Sequence, residues 1–325
     1  MNQLKMIRAS LRVAAVLAAC ALVAAGCARK KEDPGAFNTP EEAVTAFVAA
    51  MQKDDVGELH ALLGPGTDEL LSSGDAVADR ADRAWFVAAY NAKHSLAADG
   101  VDKMSLNVGE KDWPMPIPIV KRDGKWRLDG AAGADELVYR RVGRNELGAI
   151  VVCRGLVSAQ VDYASPGRDG DSAGVYALKI ISDAGMHNGL YWPAEQGEPD
   201  SPLGPLAADA AEEGYRAAER GSGTPYHGYH YRMLYSQGTH ANGGAKDYFK
   251  DGRMTEGFAL VAWPANYGAS GVQTFIVNGD GVVFQKDLGE DTEEAVKAIK
   301  SFDPDSSWTT VAPPADPARG TATAS

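Results

Sequence analysis

Four of the six histidines lie in the second half of the chain, and histidine clusters are the usual starting point for zinc chemistry. They are His187, His227, His230 and His240. The segment 226–235 reads as one strand, on which residues an odd number apart point to opposite faces, so His227 and His230 cannot bind the same ion. His187 and His240 lie in Gly-rich segments that could converge. Because the chain has no HExxH motif, we predict no metal site and no cofactor.

Hydroxyl and acidic side chains offer weaker candidates for chemistry. Asp169-Gly170-Asp171 is an acidic turn of the type that binds Ca²⁺, but it lacks the twelve-residue spacing of a calcium-binding loop. Ser270 does not lie in a G-x-S-x-G sequence. Paired carboxylates for glycoside cleavage would have to be drawn from Glu195, Glu198, Asp247 and Glu256. We therefore assign no catalytic residue and keep a hydrolase as the alternative to a binding protein.

Aromatic residues beside glycine and proline are the strongest candidates for binding. Trp113, Trp192 and Trp263 each precede a proline, which restricts the tryptophan to extended conformations and limits the freedom of its ring. Rigid rings of this size stack on sugars or anchor a protein partner, although they also fill cores. We select five candidate binding residues: His187, Tyr191, Trp192, His240 and Trp263.

Composition places these residues in an acidic globular protein. The chain of 325 residues is 45% hydrophobic and 23% charged, with a net charge of −12. This hydrophobic share is typical of a folded chain rather than a disordered one. The acidic balance argues against nucleic acid as a partner, because phosphate binding requires a basic surface. The length allows two domains of ordinary size.

The first 26 residues have the pattern of an export signal. Three basic residues precede an apolar run over residues 13–25, which is too short to span a bilayer. The run ends in Val23-Ala24-Ala25-Gly26-Cys27, which resembles a bacterial lipobox with alanine where leucine is commoner. A second lipobox-like sequence ends at Cys20 but follows a shorter apolar run. We predict lipidation at Cys27, with an ordinary signal peptide as the alternative.

A lipid on Cys27 would anchor the mature chain to a membrane. Ala28 is not the aspartate that resembles an inner-membrane retention signal, so we expect an outer-membrane lipoprotein on the periplasmic side, with surface exposure left open. The remaining thiol, Cys153, has no partner for an intramolecular disulfide and reads as a small buried hydrophobe.

The first half of the mature chain reads as helices followed by strands. Thr39-Pro40 with Glu42 predicts the start of a helix, and further helices are predicted over 58–63 and 79–93, with Trp85 buried in the last. The predicted strands are 104–108, 117–120 and 126–128, with a hairpin turn in the segment 121–125. This order resembles the cystatin-like or NTF2-like cone over residues 38–130, which usually holds a pocket. We expect side chains to fill this pocket, with ligand binding as the alternative.

A long helix is predicted from Asp135 to Tyr163 by its apolar stripe. Arg140, Arg141 and Arg144 cluster near its start. This cluster either binds an anion or forms a solvated or inter-domain face of ion pairs, and ion pairs are the commoner outcome.

Short strands and Gly-rich turns fill the second half. Strands are predicted over 226–235, 258–263, 274–277 and 282–285, the last two joined by a turn at Asn278-Gly279-Asp280-Gly281. A long helix followed by an antiparallel meander resembles the layout of the globular part of pilins. A pilin helix begins at the mature N-terminus, whereas this one is internal, so polymerisation through it is not expected.

Several motifs resemble a known bacterial family, the domain-of-unknown-function 2950 family, over most of residues 38–290. They are Gly143-Arg144-Asn145-Glu146-Leu147, His187-Asn188-Gly189-Leu190-Tyr191-Trp192, Tyr226-His227-Gly228-Tyr229, Arg253-Met254-Thr255-Glu256-Gly257-Phe258-Ala259, Trp263-Pro264-Ala265, Ser270-Gly271-Val272 and Asp287-Leu288-Gly289. The resemblance implies an exported bacterial protein and supplies no activity.

Together these patterns predict an α+β lipoprotein. The expected parts are a signal peptide (1–26), a tether (27–37), a cone domain (38–133), a helix-plus-sheet domain (134–303) and a disordered tail (304–325). The predicted function is a non-catalytic binding or assembly module that presents aromatic loops to an envelope protein or a glycan. The alternatives are an envelope hydrolase and a module that senses a metal or another ligand.

Overall fold

The computed structural model describes residues 34–168, 170–194, 199–215 and 223–312. Within these ranges the chain forms seven helices and several mainly antiparallel sheets, so the α+β class is confirmed. The predicted signal peptide and Cys27 lie outside the described residues.

Four helices open the described chain, and side-chain caps mark the start of three of them. The helices are α1 (Pro40–Lys53), α2 (Val56–Leu63), α3 (Asp68–Leu71) and α4 (Ala76–Ala92). The Thr39 hydroxyl accepts a hydrogen bond from the Glu42 amide, with Pro40 at the first helical position, as predicted. Asp75 caps α4 in the same way through the amides of Val77 and Ala78.

An antiparallel sheet of five strands packs against these helices. Its strands are β1 (His94–Ala98), β2 (Lys103–Val108), β3 (Trp113–Pro114), β4 (Ile119–Arg122) and β5 (Lys125–Leu128). The order is β1-β2-β4-β5, with β3 also paired to β2. Asp123 and Gly124 both adopt positive φ between β4 and β5, which is the backbone of a tight hairpin turn and fits the prediction.

A helix of 35 residues, α5 (Gly130–Ala164), links the two halves of the chain. Its first turn lies against the N-terminal core, where a side chain on Gly133 would come within 2.5 Å of Pro116. Its later turns supply Ile150, Cys153 and Leu156 to a second core. By length and apolar composition α5 could cross a membrane, but half of its most apolar window is buried within the protein, as in a core helix.

The C-terminal half is built on a second five-stranded sheet, of order β16-β15-β14-β13-β8. Its members are β8 (Tyr229–Leu234), β13 (Ala259–Pro264), β14 (Gln273–Asn278), β15 (Phe284–Asp287) and β16 (Thr309–Thr310). The α5 helix packs mainly on β14, and α7 (Thr292–Ala298) packs on β13. Smaller elements are β6 (Lys179–Ile181), β7 (Gly189–Tyr191), α6 (Gly204–Glu212), β9 (Ser236–Gln237), β10 (Lys246–Asp247), β11 (Phe249–Lys250) and β12 (Arg253–Met254).

Buried polar contacts from α5 join the two halves. The Arg141 guanidinium donates hydrogen bonds to the carbonyls of Glu69 and Leu70 in one half and of Ala269 in the other. One turn later, Asn145 Nδ2 donates to the Ser270 carbonyl. The arginine cluster of the sequence is therefore divided, since Arg141 is 6% exposed whereas its neighbours are exposed.

A second polar contact between the halves centres on Asp75. Besides capping α4, its carboxylate accepts hydrogen bonds from the Tyr215 hydroxyl at 2.7 Å and the Gly228 amide at 2.9 Å. Asp75 is buried, so these contacts are shielded from water. The N-terminal helices and the start of β8 are thereby held in one relative position.

Three sequence predictions need correction. Trp85 is 54% exposed, and its neighbour Phe86 is the buried residue of α4. The disordered tail cannot begin at residue 304, because Thr309–Thr310 pairs with β15. The tether ends earlier than residue 37, because Phe37 and Trp126 exchange backbone hydrogen bonds. In each case long-range packing overrides a local pattern.

Candidate functional site

The main candidate site is a cavity of about 510 Å³ beside β8, the edge strand of the C-terminal sheet. We call it the aromatic cavity. Its walls come from α5, β6, β7, α6 and β8. The lining includes five tyrosines and one tryptophan: Tyr191, Tyr215, Tyr226, Tyr231, Tyr235 and Trp263. A mainly apolar cavity of this size is typical of a small-molecule binding site.

Two of the five candidate binding residues, Tyr191 and Trp263, line this cavity. Tyr191 ends β7, and Trp263 lies near the end of β13, directly opposite His230 of β8. The indole Nε1 of Trp263 donates to the Glu293 carboxylate at 3.0 Å, which fixes the orientation of the ring. The fold therefore brings together two rings that are 72 residues apart in the chain, from 191 to 263.

The backbone of β8 adds polar groups to the cavity wall. The Gly228 carbonyl accepts from the Ala265 amide and so faces β13, whereas Tyr229 exchanges both backbone bonds with Tyr226 and faces away. Since successive residues of an antiparallel strand alternate, Tyr231 and Met233 also direct their N–H and C=O groups away from β13. The described residues add no further strand to this edge.

Three basic side chains, Lys179, His230 and Arg232, line the cavity, and no carboxylate does so among the described residues. Arg232 donates to the carbonyls of Val296 and Ile299 at the end of α7, and Lys179 pairs with Asp183. Burial lowers the pKa of His230, an effect partly opposed by Glu293 and by a hydrogen bond with the Gly223 backbone. At neutral pH His230 therefore contributes an uncharged imidazole.

Trp192 does not belong to a presented loop. It is 3% exposed, and its indole N–H donates to the Pro199 carbonyl at 3.1 Å. His187 lies against this ring, with 4.5 Å between ring centroids, and Arg168 lies over it at 4.9 Å. The proposal that Trp192 forms an exposed recognition surface is therefore wrong, because its ring is part of the C-terminal core.

His240 lies in a different region from His187. Its Nδ1 contacts the Asp303 carboxylate at 3.0 Å, and neither histidine lines the aromatic cavity. The described residues contain no group of three or more His, Cys, Asp or Glu side chains arranged to hold a metal ion.

The predicted strand over 226–235 begins only at Tyr229, so the parity argument for His227 and His230 does not apply. His227 and Gly228 adopt positive φ and form a tight turn that closes with the Tyr226–Tyr229 bridge. His227 Nε2 contacts Glu213, whereas His230 lies at the cavity. The two imidazoles are thus separated by a turn rather than by the faces of one strand.

The described candidates for hydrolysis and for the calcium turn all make structural contacts. The Ser270 hydroxyl is buried and bonds to the backbone of Asn266. Asp247 caps the Phe249 amide, and Glu256 lies 3.9 Å from Lys250 at the surface. Glu195, Glu198 and Asp169 lie outside the described residues, and Asp171 pairs with Arg253.

Sequence reasoning missed most of the cavity wall. The sequence pattern identifies Tyr231 and Tyr235 only as parts of a strand and His230 only as a rejected zinc ligand, and it does not predict α6. The usable signal was the density of tyrosine: eight of the twelve tyrosines lie between residues 191 and 267. Because tyrosine combines a large apolar ring with a polar hydroxyl, such a group suits the wall of a cavity as well as a core.

No curated protein and no solved structure matches the chain. The family described as "Protein of unknown function (DUF2950)" matches residues 35–311, which covers both halves of the fold and every wall of the aromatic cavity. The motifs recognised in the sequence include Tyr226-His227-Gly228-Tyr229 and Trp263-Pro264-Ala265, and these lie at the cavity. The chain therefore belongs to the DUF2950 family.

Proposed function

We propose that the protein is a lipid-anchored, non-catalytic binding module of the bacterial cell envelope, and that it binds an apolar ligand in the aromatic cavity. The observation that carries the proposal is the cavity itself: about 510 Å³, walled by tyrosine and aliphatic side chains. Apolar walls supply affinity by removing ligand surface from water, and a few fixed polar groups supply orientation.

The chemistry of the lining favours an uncharged ligand. Arg232 and Lys179 already have acceptors, and the described lining contains no carboxylate. The neutral imidazole of His230 and the outward backbone groups of Tyr231 and Met233 can each hydrogen-bond a polar atom of the ligand. The ligand class is thus a largely apolar molecule, or an aromatic group of a partner, with one or two hydrogen-bonding atoms.

The lipobox-like sequence at Cys27 supports a location in the envelope. An outer-membrane lipoprotein on the periplasmic side would hold the cavity within reach of ligands that partition into or pass across the envelope. The cone-like and pilin-like layouts of the two halves remain architectural comparisons and add no activity to this proposal.

A blocked cavity tests the binding function. Ala207 lies on α6 in the cavity wall, whereas Ala208, its neighbour in sequence, is exposed. We expect purified wild-type protein and Ala208→Trp to bind N-phenyl-1-naphthylamine, an uncharged apolar fluorophore, with similar Kd. Ala207→Trp should lose the fluorescence increase. Equal binding by Ala207→Trp, with circular dichroism unchanged, would refute the aromatic cavity as the site.

A matched pair of cysteine variants tests the anchor. Cys27→Ser should move the protein from the membrane fraction to the soluble fraction, because one residue carries the acyl attachment. Cys20→Ser, at the competing lipobox-like sequence, should leave the protein membrane-bound. Membrane fractionation followed by immunoblotting decides the point, and retention of Cys27→Ser in the membrane would contradict the proposal.

A further inference from the structure

A second cavity, of about 380 Å³, lies in the N-terminal half between α1, α4, β3 and the start of α5. We call it the arginine cavity. Its floor is apolar and includes the buried residues Phe47, Phe86, Met115 and Ile117. The rings of Phe47 and Phe86 meet edge to face at 5.6 Å. The floor alone fits a hydrocarbon or aromatic group.

The lining of this cavity is rich in arginine, in a chain whose net charge is −12. Four arginines and two aspartates line it: Arg83, Arg140, Arg141, Arg144, Asp79 and Asp82. Four positive charges less two negative charges leave an excess of two positive charges in the lining itself, while Glu136 and Asp54, which pair with Arg140 and Arg83, lie outside it. A positive rim over an apolar floor is complementary to an amphipathic anion.

Two of the four arginines are available to a ligand. Arg141 is held by backbone carbonyls at the junction of the halves, and Arg83 contacts Asp54 at 2.5 Å. Arg140 and Arg144 instead form ion pairs with Glu136 and Asp82, and both members of each pair are largely exposed. Exposed pairs of this kind contribute about 0–1 kcal/mol, so a ligand anion can replace the protein carboxylates at low cost.

The geometry of Arg140 and Arg144 suits one anionic head group. They are four residues apart on α5 and therefore project from the same side of the helix. Arg140 also lies over the ring of Trp113 at 5.6 Å, and Trp85 meets Trp113 edge to face at 5.7 Å. The guanidinium groups and the half-exposed tryptophans thus form a mouth that is both cationic and aromatic.

We propose that the arginine cavity binds an amphipathic organic anion, with its apolar chain or ring on the phenylalanine floor and its carboxylate or phosphate ester between Arg140 and Arg144. Both head groups accept paired hydrogen bonds from guanidinium. This site is independent of the aromatic cavity and of its uncharged ligand.

Calorimetric titration with octanoate, octyl phosphate and 1-octanol tests the proposal. Wild-type protein should bind both anions, and the stronger binder identifies the head group. Arg140→Gln combined with Arg144→Gln should weaken binding of the anion at least about tenfold, the loss expected for one strong charge-assisted contact. The matched control, Arg80→Gln with Arg122→Gln, removes two exposed and paired arginines outside the cavity and should bind like wild type.

Three results would overturn the proposal. The first is an unchanged Kd for the anions in the Arg140→Gln, Arg144→Gln protein. The second is an equal loss of 1-octanol binding in that variant, which would indicate a distorted cavity. The third is loss of anion binding in Ala207→Trp, which would place the anion in the aromatic cavity. If N-phenyl-1-naphthylamine did not bind at the aromatic cavity, this proposal would be unaffected.

Discussion

The two halves of the protein differ in the elements that build their cores. Four short helices and a sheet form the N-terminal core within residues 43–128, whereas one long helix, α5, and a second sheet form most of the C-terminal core within residues 149–302. Both depend on α5, which changes from apolar packing to buried polar contacts around Arg141 and Asn145 as it passes between them. Apolar burial therefore builds each half, and directional hydrogen bonds set the orientation of one half against the other.

The two cavities differ in the charge of the side chains that line them. The aromatic cavity has a wall of tyrosines and no described carboxylate, and its cations are engaged elsewhere. The arginine cavity is of similar size, but two half-exposed arginines stand at its mouth. Volume alone would assign both cavities the same ligand, whereas the charge at the mouth separates an uncharged ligand from an anionic one. Four predictions test these contrasts.

The largest effect is expected at the junction. Arg141→Ala should lower the free energy of unfolding by about 3–5 kcal/mol, because it removes the cation 3.8 Å from the buried Asp79 carboxylate and the donor to three carbonyls. Arg140→Ala, one residue away but exposed, should change it by less than about 1 kcal/mol. Unfolding of Arg141→Ala should also occur in two transitions, seen by calorimetry on heating and by fluorescence in urea. A single transition at wild-type stability would mean that the polar junction does not couple the halves.

A comparable loss is expected inside the C-terminal core. Trp192→Ala should destabilise the protein by about 3–5 kcal/mol, since its ring is buried and hydrogen-bonded. Tyr191→Ala, its neighbour, removes a cavity-lining ring and should reduce binding of N-phenyl-1-naphthylamine with a smaller loss of stability. Thermal melts and fluorescence titration of both variants separate packing from binding. Intact stability of Trp192→Ala would restore the exposed-ring interpretation.

A smaller effect is expected at Asp75. Tyr215→Phe removes the hydroxyl that donates to this buried carboxylate and should reduce the free energy of unfolding by about 1–3 kcal/mol. Tyr267→Phe removes a similar tyrosine–aspartate bond, to Asp287, from a more exposed position and should have an effect below about 1 kcal/mol. Equal effects in chemical denaturation would show that burial of the junction contact adds nothing.

The smallest effect is a pH dependence from His230. Burial holds the folded-state pKa below the ordinary value of 6.5, so the unfolded chain binds more protons in the interval between the two values. The contribution of His230 to the free energy of unfolding is therefore largest above pH 6.5, and it decreases as the pH drops toward the folded-state pKa. Denaturation midpoints at pH 7.5 and 5.5 should therefore differ less in His230→Gln than in wild type. An identical difference in both proteins would exclude His230 as a cause.

The sequence by itself determined the local elements. Thr39-Pro40 starts α1, Asp123-Gly124 turns the first hairpin, and the Gly-rich turn after Asn278 lies between β14 and β15. The apolar stripe from Asp135 to Tyr163 also identified most of α5. Such elements depend on contacts within a few residues, because capping, turn geometry and helical periodicity are properties of a short segment.

Only the tertiary structure decided which residues are buried and what they face. Local pattern could not separate Trp85 from Phe86, or Arg141 from Arg140, since each pair occupies adjacent positions of one helix. Asp75 caps α4 through nearby amides, yet it also binds an amide 153 residues later. The two cavities likewise arise where distant segments meet without filling the space, and their lining and charge depend on long-range packing that no short segment encodes.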